Sequence, residues 1–124
     1  DLNSMNPGKA MAQASHAGSV FVSNAEPGYN VDEELFNAWQ ESTPQKFGTV
    51  LVLGVTEAQM RTAVEVAESF GVDKFPCDII HDPTYPLQDG DTTHFIPVDT
   101  CGYIFGDKED PLLESILGNF ELHE

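Results

Sequence analysis

The chain has 124 residues, with 21 Asp and Glu against 5 Lys and Arg, for a formal net charge of −16. That length supports one core and not two, and the charge excludes a surface built for indiscriminate nucleic-acid binding. No apolar run approaches the roughly 18 residues that a membrane helix needs, and no secretory leader is recognisable. The expectation is therefore one cytoplasmic domain over 1–124, with no membrane partner. The sequence opens on Asp1 rather than Met, as one starting inside a longer product does. Its acidity suits high salt, or imitation of nucleic acid toward a basic partner.

Asn6-Pro7 reads as an N-cap followed by proline at the first helical position. A helix is predicted from Pro7 to Ser23, with Ala10, Ala14, Ala17 and Phe21 suited to close packing. "EPGYN" at 26–30 breaks it. Asp32 caps a second short helix, "EELFNAWQES", expected to bury Leu35, Phe36 and Trp39. The β-branched run "FGTVLVLGV" at 47–55 gives the strongest strand prediction in the chain. Thr56 and Gln59 form a capping box for a helix over 57–70. Met60, Ala63, Val64, Val66 and Ala67 are its expected inward stripe, and Gly71 its stop. "FPCDIIHD" at 75–82 is a second strand, and 94–107 holds one or two more, interrupted at Pro97. "DPLLESILGNF" at 110–120 is a short helix or turn with a buried Leu/Ile face. Cys77 and Cys101 fit neither a C-x-x-C nor a zinc spacing, and are expected as buried reduced thiols. Helices alternating with strands give an α/β domain.

On the first helix Lys9, Gln13, His16 and Val20 fall at i, i+4, i+7 and i+11, along one face. Lys9 stands in the first turn, where free N–H groups and the helix dipole favour an anion. A cation is unfavourable there unless an anion sits between.

The pattern G-K-x-x-x-Q-x-x-H-A, with Gly8-Lys9, Gln13 and His16-Ala17 preceded by Asp1-Leu2, resembles the first helix of the type-2 peptidyl-tRNA hydrolases, the archaeal and eukaryotic class. "TVLVLGV", "EAQMRTAVEVAESFGV" and "CDIIHD" follow in that family's order, and "LLESILGNFELHE" is similar to its closing segment. The likeness runs from 1 to 124. It implies a mixed four-stranded sheet with helices on both faces, the family's first strand lying before Asp1. It also implies hydrolysis of the ester between a peptide and the 3′ end of its tRNA, without a cofactor. Lys9 matches the motif lysine, which would hold the terminal phosphate or the developing oxyanion. Asp82 matches the aspartate near the scissile ester, which would orient a water or act as general base. Gln13 and His16 match motif positions as binding residues, although His16 inside a packed helix reads first as a hydrogen-bonded core residue.

After the aspartate the family runs Asp-Ala-Gly-Arg-Thr, whereas this chain runs Asp82-Pro83-Thr84-Tyr85-Pro86. Tyr85 and Pro86 stand at the Arg and Thr positions; Pro86 brings neither a hydroxyl nor an N–H. Thr84 is the displaced hydroxyl, and Thr84 and Tyr85 are the expected binding residues here. An insertion at 87–99 carries Thr92, Thr93 and His94 and is read as a hairpin, either a plain surface one or a lid, "QDGD" giving its turn and His94 a further binding residue. His81, Asp82 and His94 show no recognisable ligand spacing, so no metal is expected. The only cations are Lys9, Lys46, Arg61, Lys74 and Lys108, few for a protein that grips phosphates. The alternative is therefore a catalytically inactive hydrolase-fold module that binds a small ligand or a basic protein; a third is a hydrolase of a smaller nucleotide or ester. A basic patch of Lys9 with Lys46 or Lys74 around Asp82 favours tRNA. A pocket roofed by Tyr85 and His94 favours a small ligand, and a flat acidic face a protein. The expected partner of the working enzyme is peptidyl-tRNA, with a homodimer open.

Overall fold

The first helix, α1, spans Pro7–Asn24 in a computed structural model that describes residues 7–71 and 73–122. The Asp1-Leu2 pair and the Asn6 cap lie outside the described residues. Gln13, Ala17 and Phe21 recur at every fourth position and are buried, as one stripe of a helix requires. The next helix, α2 (Glu33–Glu41), starts where the Asp32 carboxylate accepts a 3.0 Å hydrogen bond from the Leu35 amide. It buries Phe36 and half-buries Leu35 and Trp39. These side chains meet Phe21, Val31 and Phe105 in the main core, where the Phe21 and Phe105 rings stack 4.7 Å apart.

Helix α3 (Glu57–Ser69) has both bonds of the Thr56/Gln59 capping box. Met60, Ala63, Val64 and Ala67 are buried, but Val66 is 40% exposed. Six residues beyond Met60 is about 240° around a helix, off the inward stripe. Gly71 follows with φ +109°, the left-handed stop expected of it. Helix α4 (Pro111–Leu117), capped by Asp110 onto the Leu112 amide, buries none of its residues fully; Leu113, Ile116 and Leu117 are half-covered, correcting the expected buried face.

The strands differ most from expectation. Within 47–55 only Leu53–Gly54 forms a strand, β1, which pairs antiparallel with β4 (Glu121–Leu122). Val50 and Leu51 are 60% and 72% exposed. Their β propensity is real, but a strand needs a neighbour to bond, and among the described residues none lies alongside 49–52. Conversely, the strand expected to end at Asp82 continues. β2 (Cys77–Asp89) and β3 (Thr92–Ile104) form one long antiparallel hairpin. Gly90, at φ +59°, takes the first place of its two-residue loop, where a left-handed residue matches the strand twist. Pro97 does not break β3. It falls at a register irregularity, between the pairs Asp82↔Val98 and Tyr85↔Ile96, where its missing N–H interrupts no regular ladder. The segment 87–99, read as an insertion, makes the distal half of this hairpin.

Helices cover both faces of the hairpin. Cys101 and the Tyr103 and Phe105 rings meet α1, while Asp99 bonds α3 and Gly102 packs against Val64 and Met60. The observed architecture is thus a small α/β fold of four helices and two two-stranded antiparallel sheets among the described residues. No described helix is long and apolar enough to cross a membrane. A cavity of about 300 Å³ separates the 49–55 segment from β3, with α1 and α3 as its other walls. Ala14, Ala17, Val50, Val52, Met60 and Gly102 are among its lining.

Both cysteines are free thiols, half-buried rather than buried. Their strand partners are Ile104 for Cys77 and Ile80 for Cys101, so the two do not face each other. Burial, with Glu68 and Asp78 nearby, pushes the Cys77 thiol up to about 11 from an ordinary 9.0. The neutral thiol is the form the fold favours. Its stabilising contribution is complete below pH 9.0 and is lost as pH rises through about 11. Near neutral pH the thiolate fraction is about a hundredfold smaller than for a free cysteine, partly offset by higher intrinsic nucleophilicity. Alkylation of Cys77 by iodoacetamide, followed by mass spectrometry, is expected about tenfold slower than in the urea-unfolded chain. Equal rates would place Cys77 in open solvent.

Candidate functional site

α1 lays its Lys9–Gln13 edge across the hairpin beside Asp82. Gln13 is 4% exposed, a polar side chain in the core, and every polar atom of its carboxamide group is used. The amide nitrogen donates to Asp82 Oδ2 at 2.9 Å, and the amide oxygen accepts from the Thr100 hydroxyl at 2.5 Å. The two bonds fix which end of the amide points where: a carboxylate accepts only from nitrogen, and the hydroxyl supplies its proton to oxygen. Even the backbone carbonyl of Gln13 is engaged, by the Cys101 thiol at 3.4 Å.

One turn earlier, the Lys9 ammonium donates to the Pro86 carbonyl at 2.8 Å and stands 5.0 Å from the centre of the Tyr85 ring. Pro86, which brings no hydroxyl or N–H, contributes its carbonyl. Tyr85 is 4% exposed, and its hydroxyl is buried with no hydrogen-bond partner among the described residues. Such an orphan costs about 1–3 kcal/mol unless water or a ligand reaches it.

Two irregularities in the hairpin explain how a strand presents this set. The pairs Ile80↔Cys101 and His81↔Asp99 leave Thr100 as an extra residue. A bulge sends two neighbouring side chains to one side, and Thr100 and Cys101 both meet Gln13. On the other side of Asp82, residues 83 and 84 oppose Pro97 alone. Asp82 therefore sits between two breaks in the ladder, half-buried, with its carboxylate turned to α1.

The structure brings together Lys9, Gln13, Asp82 and Tyr85 of the residues expected from sequence. His16 is exposed on α1 rather than a core residue, because Gln13 takes the inward position three residues before it. His94 is exposed on β3 opposite Leu87. The Thr84 side chain lies outside the described residues. Lys74 pairs with Asp110 at 2.8 Å near the Cys77 end of β2, so it does not gather with Lys9 at Pro86. Among the described residues no group of three or more His, Cys, Asp or Glu is arranged to hold a metal ion. Thr100 is not legible as a site residue in the sequence, since its hydroxyl reaches Gln13 only through a bulge, and a bulge has no signature in "VDTCGY". No family model matches the chain, nor does any curated protein or solved structure.

Proposed function

We propose that the chain is a divergent peptidyl-tRNA hydrolase of the type-2 kind, acting on the ester that joins a peptide to the 3′ end of tRNA. The observation that carries the reading is the Gln13 carboxamide clamped between Asp82 and Thr100, one turn from Lys9. A carboxylate held by an oriented donor accepts a proton from an attacking water while keeping its position. The water oxygen bonds to the ester carbon, its proton passes to Asp82, and the tRNA oxygen leaves as that proton is returned to it. Lys9 supplies positive charge to the developing oxyanion or to the terminal phosphate. None of these steps draws on a cofactor.

The cavity beside β3 also supports the family reading. It is bounded by the 49–55 segment on one side and by the β3 edge that no described strand pairs on the other. A strand lying along that edge would join the two small sheets into one, and its lining of helices on both faces calls for a continuously apolar strand.

The test is release of a labelled N-acetyl-aminoacyl group from tRNA by the purified chain at low and at high salt. Release is expected, with a shallow loss of affinity as salt rises because so few Lys and Arg can meet phosphates. No release at either salt, from protein shown to be folded, overturns the reading. The Tyr85 hydroxyl, buried with no hydrogen-bond partner among the described residues, favours a second one, a module that has lost catalysis and holds a small ligand or a basic protein at the Lys9 end of α1. In that case no release accompanies saturable ligand binding that Tyr85→Phe weakens.

A further inference from the structure

A second cluster of charged side chains lies on the other face of the hairpin, toward α3. Asp99 uses both carboxylate oxygens. The Nδ1–H tautomer of His81 donates to Oδ1 at 2.8 Å, and Arg61 Nη2 donates to Oδ2 at 2.5 Å. Arg61 is held in turn from its own helix, its Nε and Nη2 donating to Glu57 Oε1 at 3.1 and 2.8 Å. The two hydrogen bonds, from His81 first and Arg61 second, hold the Asp99 carboxyl below the usual carboxylate range. The Arg61 side chain is 43% exposed, and pairs this open to water contribute little to stability. Yet one of the five cations of a strongly acidic chain is committed to it. Its value is better sought in geometry.

The cluster stands where the hairpin changes register. Asp99 opposes His81, Cys101 opposes Ile80, and Thr100 between them is the extra residue. Were the bulge to slide by one position, His81 would oppose Thr100. The side-chain parity would reverse, sending the Thr100 hydroxyl toward α3 and away from Gln13. That slip would also move Asp99 off its place opposite His81 and strain its bonds to His81 and Arg61. We propose that Asp99, pinned by His81 from β2 and by Arg61 from α3, is a positioning residue: it fixes the bulge that aims Thr100 at Gln13, and through Gln13 it sets the Asp82 carboxylate. The inference rests on the reading of Asp82 as the working base, and it assigns the cluster on the far face to that site.

The experiment uses the full chain labelled with ¹⁵N, as wild type, Asp99→Ala, Arg61→Met and Arg61→Lys, reading the Gln13 side-chain amide by NMR and the release of N-acetyl-aminoacyl groups from tRNA. In Asp99→Ala the Gln13 amide resonances shift and broaden. Turnover falls about tenfold to a hundredfold, the scale of a small misplacement of a catalytic group, with KM within about twofold. Arg61→Met moves both readouts the same way by less, and Arg61→Lys restores them. Unchanged Gln13 resonances in folded Asp99→Ala overturn the proposal, as does a rise in KM with kcat untouched. If Asp99→Ala fails to fold, Arg61→Met, which leaves the Asp99–His81 bond in place, decides by the same two readouts. If the wild type releases nothing, the hydrolase reading fails, and the Gln13 resonances still decide whether Asp99 positions the amide.

Discussion

Lys9→Met is expected to lower turnover on N-acetyl-aminoacyl-tRNA by about two to three orders of magnitude, the scale of removing one charge-stabilising donor from an ester-hydrolysing site. Methionine keeps the unbranched stem against Tyr85 and removes only the ammonium. The fold should survive the change. The Lys9–Pro86 bond and the contact with the Tyr85 ring are part-buried neutral-to-charged interactions, together worth about 1–2 kcal/mol. A lysine in a first helical turn also opposes the dipole, which returns a few tenths of that. The comparison to make is single-turnover release by both proteins, with thermal unfolding alongside. Turnover within threefold of wild type would remove Lys9 from the chemistry and leave it as a tie between α1 and β2. Unfolding of the variant would assign it a structural role instead.

The Lys9–Pro86 tie shows where reading from sequence stops. The periodicity of α1 and α3, the caps at Asp32 and Thr56, and the stop at Gly71 are local devices, and each stands where its residues indicate. The i, i+4 relation of Lys9 and Gln13 is likewise local, and both side chains reach the hairpin. What the two residues meet there is not local. A run such as "TVLVLGV" declares an apolar, β-branched segment but not whether another strand lies beside it. The outcome, two residues of ladder at Leu53–Gly54, depends on that neighbour. Pro97 signals a break, yet the hairpin runs through it by placing it at an irregularity. The site depends on the same irregularities. Thr100 reaches Gln13, and Asp99 reaches Arg61, because one extra residue in β3 exchanges the faces to which their side chains point. A rule of strict alternation along "PVDTCGY" puts Asp99 and Cys101 on the same face, whereas they contact opposite helices.

Phe21→Ala is expected to cost about 3–5 kcal/mol, the range for truncating a buried aromatic. The ring is 5% exposed and lies within 5.8 Å, centre to centre, of the rings of Phe36, Trp39, Tyr103 and Phe105. These four come from α2, from β3 and from the residue that follows it, so Phe21 is where both elements meet α1. Removing it leaves a cavity that four rings cannot close together, since they are fixed in pairs on two separate elements. Edge-to-face pairs beyond simple burial add about 0.5–1.5 kcal/mol each, though shared partners make the sum less than additive. For a chain of this size such a loss is a large part of the total. Urea unfolding followed by far-ultraviolet circular dichroism measures it. The fluorescence of Trp39, the single tryptophan, reports the same transition from inside the cluster. A loss under about 1 kcal/mol would mean that α1 is anchored elsewhere. The variant also separates packing from chemistry. Gln13 and Phe21 lie on one buried stripe, two turns apart, so if Phe21 holds the helix against β3, its loss should broaden the Gln13 side-chain amide even under conditions where the chain remains folded. An unperturbed Gln13 amide would show that the hydrogen bonds to Asp82 and Thr100 suffice to seat the first half of α1 by themselves.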